Sequence, residues 1–144
     1  MNAPQGFIPP DDLPAGVEAG ADGIRAELVG TWVVDGVHGE GGMLQPIIQG
    51  TDVSIAFEAD ESLSGHASVN SFRGAWDLVD DHLRLSDVVV TSTTGSDPDV
   101  NDQERRFLAA LPSVVGFDVM GAHHRGALEL LDRHGHALVR ATRR

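Results

Sequence analysis

Three polar side chains in this sequence sit where they could hold a ligand: Asn70, Arg73 and Glu104. The first two fall within Asn70-Ser71-Phe72-Arg73-Gly74, where a loop runs into a strand. The functional reading makes Asn70 and Arg73 a small polar recognition site. The competing structural reading has Asn70 bonding nearby backbone while Gly74 permits close packing. Glu104 shares a helical stripe with Val100, Phe107, Leu108 and Leu111, so its carboxylate should face inward. A buried carboxylate without a partner is costly. Capping the backbone at Asn101, or pairing with an arginine such as Arg73, would satisfy it. General acid–base catalysis needs a second group, and no spacing supplies one. The structural account therefore leads at both places, and no catalytic residue is assigned.

Other chemistries fail on missing atoms. The chain has no Cys, no Tyr and no Lys. Thiolate nucleophiles, thiolate metal sites, disulfides, lysine Schiff bases and the P-loop lysine are thus excluded. No Gly-x-Ser-x-Gly elbow presents a serine nucleophile, and no Gly-rich turn joins a strand to a helix in a dinucleotide pattern. Asp97-Pro98-Asp99-Val100-Asn101-Asp102 resembles half a calcium loop. However, Asp102 stands where the turn glycine belongs, and Leu108 replaces the bidentate Glu. A capped helix entrance explains it better. His123 and His124 in one turn, with His134 and His136 in the next, could meet around a metal by imidazole. Turns also carry histidines with no such role, and neither a metal nor any other cofactor is assigned.

The elements that must position these residues are mostly strands. Residues 1–24 are rich in Pro, Gly and Asp and predict an extended or disordered arm. Residues 25–144 form the domain. Leu28 to Val34 is a first strand, and the Gly-rich stretch from Asp35 to Gly50 reads as loop. Val53, Ile55 and Phe57 then alternate with polar neighbours, one face buried. The strand from Leu63 to Val69 has small inward residues, so something bulky should cover it. Phe72 to Leu78 and Leu83 to Val90 complete a meander of hairpins turning at Asp60-Glu61 and Asp80-Asp81. One amphipathic helix, capped at Asn101 and closed by Pro112, interrupts the rhythm. Strands at Gly116–Met120, Leu128–Leu131 and Ala137–Thr142 follow. The fold class predicted is mainly β, an antiparallel calycin-like barrel or curled sheet with one short helix as its lid.

In order and spacing, Gly30-x-Trp32, Ser64-Gly65, Asn70-Ser71-Phe72-Arg73-Gly74, Glu104-x-x-Phe107-Leu108-x-x-Leu111 and the closing Leu128–Leu130 and Gly135 elements resemble the META domain (HslJ-like) family. The resemblance implies the calycin-like sheet with one helix, no established enzymatic activity, and loose links to stress response. Where the family often has Gly-Cys-Asn, this chain has Ser68-Val69-Asn70, and Gly95 stands where a second Cys is often found. Their joint replacement is what neighbours in space would show.

With 41% hydrophobic and 22% charged residues, the 144-residue chain has the composition of one ordinary globular domain. A net charge of −12 disfavours nucleic acid and anionic membranes as partners. All ten basic residues are Arg, and Arg140, Arg143 and Arg144 read as a solvated basic tail. No apolar run is long enough to span a bilayer, and no basic stretch precedes an apolar one at the start, so a cytoplasmic location is expected. The function expected is a non-catalytic module, its partner a protein. The alternative is a barrel binding a small apolar ligand, excluded if Phe57, Trp76, Leu85 and Phe107 fill the interior.

Overall fold

The computed structural model describes residues 25–39, 42–80, 82–120 and 126–144. The arm expected over residues 1–24 and the His123-His124 turn lie outside the described residues. After a helical turn at residues 25–28, the chain builds strands β1 (Gly30–His38), β2 (Leu44–Pro46), β3 (Val53–Phe57), β4 (Ser62–Ala67), β5 (Ser71–Val79) and β6 (His82–Val90). Helix α1 (Pro98–Ala110) and a 3-10 turn (Leu111–Ser113) follow, then β7 (Gly116–Met120), β8 (Ala127–Leu131) and β9 (Ala137–Arg143).

All nine strands join one sheet in the order β6-β5-β4-β3-β1-β9-β8-β7, with β2 paired to β1, and every pairing is antiparallel. The sheet curls into a half-barrel. Its two ends approach at one point, where the Leu83 N–H donates to the Val115 carbonyl at 3.0 Å. Alternation decides which side chains enter the hollow. Trp32, Ile55, Phe57, Leu63, Phe72, Trp76, Leu83, Leu128 and Leu130 all point inward and are buried, and Phe107 and Leu111 come down from the helical segment to join them. Phe57 meets Trp76 edge-on at 5.5 Å and Phe72 meets Phe107 at 5.7 Å. Leu85 lies in the same core, so the interior is filled with side chains.

The small inward residues of β4 have the expected cover. A Cβ at Gly65 would lie 2.7 Å from the Phe72 ring and 2.1 Å from the Ser54 carbonyl oxygen. Gly74 faces a bulge in β6, where Asp87 takes φ 56° and the Ser86 carbonyl comes within 2.8 Å of where a Cβ would stand.

Four expectations need correction. The stretch from Asp35 to Gly50 is not all loop, because β1 continues to His38 and β2 returns against it, with Gly36 opposite Pro46. The helix begins four residues early. Asp97 is its N-cap, accepting the Asp99 N–H, and Pro98 takes the first turn. Asn101 instead pins Gly95, donating to its carbonyl and accepting its N–H. The closing arginines are not a tail, since β9 lies between β1 and β8 in mid-sheet, although Arg140 and Arg144 remain exposed. Arg143 stacks 4.2 Å over the Trp32 ring and donates to the Val29 and Glu27 carbonyls. Finally, β3 is buried on both faces rather than one, Ser54 and Ala56 included.

Candidate functional site

The β4–β5 hairpin turns through Ser68 and Val69, with the Ala67 N–H donating to the Asn70 carbonyl at 2.8 Å. Ser68 holds φ at 101°, a backbone region in which a side chain is strained. The family's Gly at this place fits that angle without cost. The turn leaves the Val69 and Asn70 N–H groups pointing at α1, and one oxygen of Glu104 accepts both at 2.8 Å. The other oxygen accepts from the Asn70 side-chain amide at 2.6 Å.

Asn70 uses its whole hydrogen-bonding capacity. Its second amide hydrogen goes to the Thr93 carbonyl at 2.7 Å, and its oxygen accepts the Thr91 hydroxyl and the Thr93 N–H, each at 2.7 Å. Beside Glu104 on the helix, Gln103 accepts the Ile48 N–H at 2.8 Å and donates to the Thr51 and Ser68 hydroxyls at 3.1 Å. Asn70, Gln103 and Glu104 are all buried. Together they lock the hairpin, the strand end after β6 and the loop before β3 onto one helix face. Chemically this knot is a clasp: each carboxylate and amide oxygen already faces N–H or O–H donors of the chain itself.

Asn70 and Glu104 are thus brought together, and Arg73 is not. On β5 Phe72 points inward, so Arg73 points out and is exposed. Glu104 finds its partners in the hairpin backbone and the Asn70 amide, not at Asn101 and not in Arg73. Gln103 was not among the residues picked from sequence, although its position four before Phe107 puts it on the inward stripe. Spacing singles out the Glu104 carboxylate because burying a charge demands a partner, whereas a neutral amide on the same stripe raises no such demand.

Arg73 belongs to a different surface. Thr31, Ala56, Ser64, Arg73 and Val89 are successive register partners across β1, β3, β4, β5 and β6. They face away from the core along a groove of about 560 Å³, lined also by Ser54, His66, Ser71, Thr91 and Arg144. Elsewhere, the rings of His134 and His136 are 6.0 Å apart in an exposed turn. There Asp132 accepts both of their backbone N–H groups, and the bond from His136 chiefly holds its carboxyl below the ordinary aspartate value. Among the described residues no group of three or more His, Asp or Glu is placed to hold a metal. None of their helices is long and apolar enough to cross a membrane.

The model of the META domain matches residues 26–144. The chain belongs to the META domain family. Its META fold is shared by a protein from Burkholderia xenovorans, solved by NMR, at 19% identity and a TM-score of 0.67, over 99% of this chain and 97% of that one. A second NMR structure, at 17% identity and a TM-score of 0.58, covers 81% of this chain and 89% of its own. A crystal structure of a DUF4847 family protein from Bacteroides vulgatus aligns with a TM-score of 0.53 at 18% identity, over 80% of this chain and 92% of that one. Likeness at these identities is likeness of fold. No curated protein matches the chain. The family's paired cysteine positions do adjoin in this META domain: a Cβ at Gly95 would lie 2.8 Å from a Val69 methyl.

Proposed function

We propose that this META domain is a non-catalytic interaction module that meets its partner through the outer surface of its sheet. One observation carries the reading: the interior and its polar clasp are used up in holding the fold. Phe57, Trp76, Leu85 and Phe107 occupy the hollow, and Asn70 and Glu104 spend their bonds on the chain itself. What is left to engage another molecule is the outward face, with Arg73 and Arg140 exposed upon it. The partner we favour is a protein in the cytoplasm, because a charge of −12 repels nucleic acid and anionic lipid. A link to stress response follows from the family alone.

Affinity capture with the full chain tests this. The reading expects a partner recovered by the wild type and lost on reversing outward charges, in Arg73→Glu or Arg140→Glu. A partner retained by both variants would count against the outer face. The interior-ligand alternative needs room that four side chains occupy. Saturable quenching of Trp32 and Trp76 by an apolar dye would revive it.

A further inference from the structure

We infer that the outer-face groove binds a small organic anion, one carrying a carboxylate or phosphate beside an apolar body. This rests on the reading that the outer surface is the binding surface.

The charge distribution is the first argument. The chain has 22 acidic residues against 10 arginines, yet no acidic side chain lines the groove, while Arg73, Arg144 and His66 do. All three side chains are also unengaged. Arg25, Arg84, Arg105, Arg106 and Arg143 each hold a carboxylate or a carbonyl. Among the described residues, Arg73, Arg144 and His66 have no side-chain partner of that kind.

The floor supplies the second, independent argument. Ser54 alternates with the inward Val53 and Ile55, so its hydroxyl faces the groove, where it is only 5% exposed. Among the described residues no side-chain hydrogen bond satisfies it. A buried hydroxyl without a partner is unfavourable unless something arriving in the groove bonds it. Geometry sets the ligand's size. Thr31, Ala56 and Ser64 keep the floor low, and Val89, 70% exposed, offers an apolar wall next to Arg73. From Thr31 to Arg73 is three strand spacings, about 14 Å, and the volume suits a small molecule. A polyanion or an acidic peptide would meet the repulsion of the whole −12 chain. A compact monoanion or dianion meets it least, and a guanidinium can grip its oxygens in pairs.

Benzoate and phenyl phosphate are suitable probes, with benzamide as the uncharged control. Each is titrated into the isotope-labelled full chain at low salt and followed by amide NMR. The expected result is saturable shifts clustered at Ser54, Ser64, His66 and Arg73 for one or both anions and none for benzamide. Comparing the two anions says which headgroup is preferred. Arg73→Gln should weaken binding by about tenfold, the loss of a charge-assisted contact, and Ser54→Ala should weaken it too, with thermal unfolding of the exposed-site Arg73→Gln variant unchanged. Shifts scattered over the molecule, an equal response to benzamide, or undiminished binding by Arg73→Gln would overturn the site. If neither anion binds while Arg73→Glu still abolishes partner capture, the anion site falls and the outer-surface reading stands.

Discussion

At the scale of single residues, the buried polar atoms of the clasp are structural because every donor and acceptor there finds its partner within the chain. Glu104 offers acceptors only, and it meets three donors. Glu104→Gln keeps the shape but turns an amide toward the Asn70 amide, setting donor against donor. The expected loss is about 1–3 kcal/mol of stability, measured by denaturant unfolding; an unchanged midpoint would refute the clasp. Asp132 gives a pH-dependent counterpart. Its folded-state value is lowered, chiefly by the His136 N–H. The associated stability is therefore complete above the unfolded aspartate value and is lost as pH falls through the folded one. The gap in melting temperature between wild type and Asp132→Asn should be widest near neutrality and close below about pH 4. A gap constant across that range would exclude the titration.

At the scale of elements, contacts between neighbouring strands and loops set what substitutions are possible. Gly65 has no room for a methyl group, because the obstacle at 2.1 Å is the Ser54 carbonyl, which belongs to the backbone of β3. Gly65→Ala should destabilise by at least about 2 kcal/mol, and trimming Phe72 should not restore it, since the backbone clash remains. Thermal melts of the single and double variants decide this. The hairpin turn and the loop before α1 approach closely at Val69 and Gly95. A Val69→Cys, Gly95→Cys double variant should therefore oxidise to a disulfide and gain about 3 kcal/mol over its reduced form. Mass spectrometry after thiol labelling reads the bond. Free thiols under oxidising conditions would show that the two positions are too far apart.

At the scale of the whole molecule, stability is graded across the sheet. β1, β3 and β9 lie in the middle of the strand order, whereas β6 and β7 are its ends and meet through the Leu83–Val115 bond. Ends with few cross-strand bonds open most readily. Amide exchange should be slowest at Trp32, Ile55 and Val139 and fastest at the β6–β7 seam. Uniform protection would instead indicate a closed barrel. The outer groove belongs to this scale as well, since its residues come from five strands and from the last residue of the sequence.

Much of the architecture was legible before any coordinates. Period-two patterning marked β3 to β6 and β7 to β9, and the stripe through Phe107 marked the helix, because both signals come from local geometry and burial. The same patterning turned Glu104 inward and left Arg73 unassigned between surface and core. What spacing could not supply was partnership. Asn70 meets Thr91 and Thr93 across twenty-odd residues, Gln103 reaches Ile48, Arg143 lies over Trp32, and Ser54 shares a groove with Arg144. A sequence determines which faces are apolar one element at a time. Only the curl of the sheet decides which polar side chains face each other, because that depends on strand order, and antiparallel strands of the same pattern can be ordered in many ways.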